Sequence, residues 1–183
     1  MTGEPIPLID NTYIVFTSDN GWHHGEHRIP DRKEQPYEES IHMPLVIRGP
    51  GIAAGATTDK LALNIDFYPT FAELGGATAS SKVDGRSLLP VLKGTASTWR
   101  DAILLEKRHK TKPGQSYFGV LTSEPRKYVE YQNGERELYN LRVDRDPYEL
   151  ENRYSGTRAA DLKARLNDLK TCAGATCRSA EGG

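Results

Sequence analysis

The feature that most constrains the fold is a short run, Tyr13, Ile14, Val15 and Phe16, that breaks off at once into Thr17, Ser18, Asp19, Asn20 and Gly21. Consecutive apolar, β-prone residues stopped by turn formers have the pattern of a strand buried on both faces of a parallel or mixed sheet. Pro44, Leu45, Val46 and Ile47 make a second run of this kind, closed by Arg48 and the breakers Gly49, Pro50 and Gly51. Between Asp66 and Gly75, Phe67, Phe71 and Leu74 fall at helical spacing, with Asp66 placed as N-cap and Gly75 as terminator. Asp84 and Gly85 turn into one or two helical turns over Ser87 to Leu92, and Ile103 to Leu105 reads as another strand. These are the pieces of an α/β layer structure.

Near residue 100 the pattern changes. Residues 117–121, 127–131 and 137–141 are three short runs rich in Tyr, Val and Leu, the last two separated by Asn133 and Gly134, a hairpin signal in which both turn residues take positive φ. A small antiparallel sheet is expected. A helix follows over about 157–170, its stripe Ala159, Leu162, Leu166 and Leu169 packing on that sheet or beneath the first layer. The expected organisation is therefore an α/β portion over 9–100 and a small antiparallel subdomain with a terminal helix over 101–183.

Charge and hydropathy narrow the function. With 24 Lys and Arg against 25 Asp and Glu, the net charge of -1 gives no overall field to hold nucleic acid or an anionic membrane. No apolar run approaches the ~20 residues that span a bilayer. Met1 to Pro7 has neither the basic start nor the apolar run of a secretory signal, so the chain reads as cytoplasmic or as lacking its true beginning. Cys172 and Cys177, with four residues between them, fit a small local disulfide or two free thiols equally well.

Three groups of residues could carry chemistry. Asp19 and Asn20 lie just beyond the carboxyl end of the first strand, the edge where open α/β sheets bind ligands, and offer a carboxylate and an amide oxygen to a hard divalent cation. Ser-Asp-Asn-Gly is equally an ordinary turn. His23 and His27 have the four-residue spacing of a helical zinc pair, but Gly25 between them argues against a helix and favours loop histidines beside an anion pocket. Lys33, in a charged loop, is either a solvated cation or a clamp on a tetrahedral oxyanion. His42 and His109 read as structural or surface residues.

Taken together, Asn11 to Gly51, NTYIVFTSDNGWHHGEHRIPDRKEQPYEESIHMPLVIRGPG, resembles the carboxyl-terminal half of the catalytic domain of the type I sulfatases, in the alkaline phosphatase superfamily. The branch it is most similar to holds N-acetylglucosamine-6-sulfatases and bacterial arylsulfatases. Asn64 to Gly75, Asp84 to Gly94 and Glu137 to Asn152 agree with the same family. The resemblance implies that Asp19 and Asn20 complete a calcium or magnesium site, and that Lys33, in a K-x-x-x-Y-E pattern with Tyr37 and Glu38, contacts a sulfate oxygen. It places His23 in the same pocket, for catalysis or substrate binding, and gives His24 no role. The substrate implied is a sulfated sugar or aryl sulfate.

The family's formylglycine, made within C-x-P-x-R, and further metal-binding aspartates have no counterpart here; Cys172 and Cys177 are followed by Ala and Arg with no proline at the required step. The chain looks like a sulfatase that begins about halfway through, with the amino-terminal half as its missing partner. A bare sheet edge and an exposed apolar face are expected, together with little activity in isolation. The parent enzyme would be secreted or periplasmic, consistent with a Cys172–Cys177 disulfide. Two other readings stand beside this one: a phosphate or phosphonate ester hydrolase of the same superfamily, and a non-catalytic module that binds sulfated glycans.

Overall fold

The two leading apolar runs do form strands, and it is their burial that differs from the expectation. In the computed structural model, which describes residues 8–182, β1 (Ile14–Thr17) and β2 (Leu45–Arg48) form an antiparallel two-stranded ladder with Phe16 opposite Val46. Neither strand is covered on both faces: Ile14, Phe16 and Val46 are 47%, 64% and 61% exposed. A continuous apolar run states that both faces avoid water in the finished protein and leaves strand direction open. The amino-terminal reading at Met1 to Pro7 lies outside the described residues.

A four-residue helix, α1 (Glu38–Ile41), sits on the connection between these strands. A 3-10 turn over Asn64–Asp66 leads into α2 (Phe67–Leu74), and α3 (Leu89–Leu92) follows. The face that α2 buries carries Pro69 and Thr70, whereas Tyr68 and Phe71 are 56% and 49% exposed, so the expected Phe67–Phe71–Leu74 stripe is not the buried one. Asp66 makes no side-chain cap to α2. Its carboxylate accepts from the N–H groups of Leu63 (2.8 Å) and Arg86 (2.9 Å) and from both Arg100 nitrogens (2.7 Å each). Asp66 and Arg100 are both excluded from solvent, and a buried carboxylate is held only with this many donors.

From Ala102 the chain builds a meander: β3 (Ala102–Lys107), β4 (Tyr117–Thr122), β5 (Arg126–Tyr131) and β6 (Arg136–Asn140), all antiparallel in that order. The β5–β6 turn differs from the simple two-residue form, since only Gly134 takes positive φ (98°) while Asn133 does not. The Tyr131 N–H donates to the Glu135 carbonyl (3.0 Å), closing a wider loop of the kind built on a type I turn.

The alternation of strand side chains divides this sheet into two working faces. Ala102, Val120, Tyr128 and Leu138 share one face and pack under α4 (Ala160–Thr171) through Leu162, Leu166 and Leu169. Burying each of these leucines contributes ~1.5–3 kcal/mol, which fixes α4 to the small sheet. The opposite face carries Lys127, Tyr131, Glu137 and Tyr139, and it points toward the β1–β2 connection. Cys172 and Cys177 are joined in a disulfide between α4 and α5 (Ala175–Ala180). Beyond α5, Glu181 binds Arg86 (2.8 Å) and Arg100 (3.1 Å), tying the end of the described chain to the Asp66 cluster.

Candidate functional site

The site is built by the way residues 18–44 fold back on themselves. The His23 N–H donates to the Arg32 carbonyl (2.9 Å), forming an isolated antiparallel bridge, and the Gly21 N–H donates to the Ser40 carbonyl (2.9 Å). Gly21 is needed at that crossing, because a Cβ there would fall inside the Glu39 carbonyl. Ser40 Oγ accepts from the Glu34 N–H (2.8 Å), so the strand leaving the bridge is held on both sides of Lys33.

This path places Lys33 over the turn after β1. Its Nζ donates to Asp19 Oδ2 (2.9 Å) and to Asn20 Oδ1 (3.1 Å). The hydrogen bond from Lys33 holds the Asp19 carboxyl below its usual range. Lys33 and Asp19 side chains remain 40% and 74% exposed. An ion pair this open to solvent does little for stability and stays accessible to a ligand. Two oxygens turned to one cationic group are a carboxylate and an amide that could offer two of the ligands a hard divalent cation needs.

The histidines separate. His23 is fully buried, and neither of its ring nitrogens has a hydrogen-bond partner among the described residues. Burial pushes its pKa down, which favours the neutral ring. His24 is exposed beside Asp31 at 3.4 Å. His27 adopts φ 55° and stacks on Tyr37 with centroids 3.9 Å apart, its Nε2 3.5 Å from Glu39 Oε2. The His23 and His27 rings cross edge to face at 6.2 Å, as neighbours in one packed cluster. His42 is exposed, with Nδ1 3.6 Å from Glu38.

A group that motif reading missed ties the Lys33 loop to the small sheet. Lys127 on β5 has no solvent exposure, and its Nζ lies 2.5 Å from Glu149 Oε1 and 3.2 Å from Glu38 Oε1. Glu149 Oε2 accepts from the Glu38 N–H (2.8 Å). Beside them the Tyr37 and Tyr131 hydroxyls donate to the two oxygens of Glu137 at 3.1 and 3.0 Å. Burial raises the Glu149 pKa to about 7, outweighing the neighbouring ammonium, and raises Tyr37 to about 12. The available signal was parity: Lys127 shares a strand face with Val129 and Tyr131, and a charge in a covered row needs a partner.

Residues 25–172, a segment that includes Lys33 and begins after Asp19 and Asn20, match the family described as N-sulphoglucosamine sulphohydrolase, C-terminal. The chain belongs to this family. The resemblance to sulfatases read from its residues is borne out. N-acetylglucosamine-6-sulfatase of Bos taurus is 34% identical over 207 residues, a match that covers 93% of this chain and 37% of that protein. Among solved structures, one in complex with its substrate D-glucosamine-2-N,6-O-disulfate aligns with a TM-score of 0.75 and 34% identity, over 87% of this chain and 33% of its own. The phosphonate monoester hydrolase of Silicibacter pomeroyi aligns with a TM-score of 0.71 and 27% identity, over 86% of this chain and 33% of its own. This sulfohydrolase-family chain thus spans about a third of the length of these relatives, and the mixed α/β architecture with its small four-stranded sheet agrees with theirs. Among the described residues no helix is long and apolar enough to cross a membrane.

Proposed function

We propose that the polypeptide carrying this chain hydrolyses sulfate monoesters of sugars or aryl alcohols. One observation carries the reading: Lys33 Nζ meets Asp19 Oδ2 and Asn20 Oδ1 at the carboxyl end of β1, at 2.9 and 3.1 Å. In this proposal Asp19 and Asn20 hold calcium or magnesium, and Lys33 binds a sulfate oxygen and stabilises the charge that grows on it. His23 is assigned to the same pocket, as a neutral donor or acceptor. A buried imidazole with both nitrogens unbonded is a group whose partner is a ligand, a water or another segment. When bound, the divalent cation would supply charge neutralisation, and a formylglycine upstream of this chain would supply the nucleophile.

In that polypeptide residues 9–100 belong to the catalytic α/β domain and 101–183 form its carboxyl-terminal subdomain. The exposed apolar faces at Ile14, Phe16 and Val46 and at Tyr68 and Phe71 are covered by its remaining part. The Cys172–Cys177 disulfide supports a secreted or periplasmic location. Lys33→Ala in the whole polypeptide should lower kcat for an aryl sulfate by ~10²–10³, as loss of an oxyanion donor does elsewhere. An unchanged kcat, or an upstream coding sequence without C-x-P-x-R, would refute the assignment. The likeness to a phosphonate monoester hydrolase favours a second reading, hydrolysis of phosphate or phosphonate esters. Matched aryl sulfate and aryl phosphate assays separate the two.

A further inference from the structure

The peptide groups that follow Asn20 and Lys33 both end on one residue, Ser40. The N–H between Asn20 and Gly21 donates to the Ser40 carbonyl (2.9 Å). The N–H between Lys33 and Glu34 donates to Ser40 Oγ (2.8 Å), and the Gln35 N–H reaches the same oxygen at 3.3 Å. Ser40 is 3% exposed and sits in α1, where its own N–H donates to the Tyr37 carbonyl (2.9 Å).

Each arm of the site depends on that hold. Glu34 stands at φ 78°, a left-handed conformation that a residue with a Cβ keeps only where its surroundings fix it. The Ser40 hydroxyl takes the N–H of Glu34 itself, while Lys107 Nζ lies 3.1 Å from the Glu34 carboxylate. Relaxation of Glu34 to negative φ would redirect the chain at the residue next to Lys33. On the other arm, Asn20 Nδ2 donates to the Gly21 carbonyl (2.7 Å), which turns Oδ1 to Lys33 Nζ at 3.1 Å. The direction of the Asn20 amide and the place of Lys33 are thus referred to one buried residue. Its helix is fixed in turn to the small sheet, because the Glu38 N–H donates to Glu149 and the Glu38 carboxylate meets Lys127.

We propose that Ser40 is the positioning residue of this site, a hydroxyl and a carbonyl that set the spacing of Lys33 from Asn20 and Asp19 without touching the substrate. The purpose of that spacing, placing a sulfate oxygen at Lys33, rests on the sulfatase reading. Alanine keeps the carbonyl and removes the hydroxyl, so it releases the Lys33 arm and leaves the Asn20 arm tied.

The test uses the whole polypeptide that carries this chain, with Ser40→Ala and with Ser40→Cys, which stays close in size but is a weak acceptor. Hydrogen exchange at single-residue resolution should show the Glu34 and Gln35 amides exchanging about tenfold faster in both variants, and the Gly21 amide changing by less than about twofold. For an aryl sulfate, kcat should fall by about ten- to a hundredfold, the scale of a misplaced catalytic group. Added to Lys33→Ala, Ser40→Ala should lower kcat by less than about a further twofold, because a residue that acts through Lys33 then has nothing left to place. Unchanged exchange at Glu34 and Gln35, wild-type kcat in either variant, or an equal fall with and without Lys33 overturns the proposal. If the unaltered polypeptide cleaves an aryl phosphate and not the aryl sulfate, only the sulfatase reading fails, and the same double-variant cycle on the phosphate ester decides the role of Ser40.

Discussion

Removing the buried ammonium at Lys127 should loosen the loop that holds Lys33, even though the two residues do not touch. Lys127→Met keeps the volume and takes the ammonium from between Glu149, with 1% of its side chain exposed, and Glu38, with 30% exposed. Breaking a buried pair in this way costs ~3–5 kcal/mol. The carboxylates can escape part of that cost by taking up a proton, and burial has already brought Glu149 to about 7. The loss should therefore be largest near pH 8 and clearly smaller near pH 5.5. Hydrogen exchange read by mass spectrometry on the segment from Lys33 to Ser40 reports it directly: 3–5 kcal/mol is a fall in protection of roughly two to three and a half decades at pH 8. Adding Glu149→Gln should restore much of it by removing the uncompensated charge. A change under about 1 kcal/mol at pH 8, or a loss as large at pH 5.5, would refute the reasoning.

Three further outcomes follow from the same structure. Glu149 has a folded pKa above its unfolded value, so the folded state holds the extra proton and stability falls as pH rises from about 4.5 to about 7. Glu149→Gln should flatten that slope in urea titrations by up to ~1.4 kcal/mol per pH unit. Asp66→Asn removes the bidentate partner of the buried Arg100 and leaves it Glu181 at 3.1 Å as its remaining counter-charge, so thermal denaturation should show a loss below the ~3–5 kcal/mol of a fully unpaired buried charge. Reducing the Cys172–Cys177 disulfide should speed proteolysis of the segment through Glu181 while leaving protection of β3–β6 intact, since the sheet core lies with α4.

Local patterns carried much of the architecture. The β4–β6 meander and the Leu162–Leu166–Leu169 stripe could be read because strand alternation and helical spacing are properties of neighbouring residues. Asp19, Asn20 and Lys33 were legible as a group through a motif, yet their meeting depends on the His23–Arg32 bridge, which no spacing announces. Asp66 was misread for the same reason. An acidic residue before a helix looks like a cap, and the donor that claims it, Arg100, lies 34 positions away. The Lys127–Glu38 and Glu38–Glu149 contacts join residues 89 and 111 positions apart, beyond the reach of any window. Phe16 and Phe71 show the converse, apolar residues that a periodic pattern assigns to a core and that the described chain leaves exposed.

The brace between the Lys33 loop and the small sheet also limits how this protein can be altered. Glu38 answers to Lys127 and Glu149, and Tyr37 answers to Glu137, so loop and sheet must change in concert. A graft that swaps only residues 33–41 for those of a relative with different partners would strand one buried charge or another. Chimeras that keep the donor's strands β5 and β6 with its loop should behave as wholes, and recombination breakpoints between the two should be poorly tolerated.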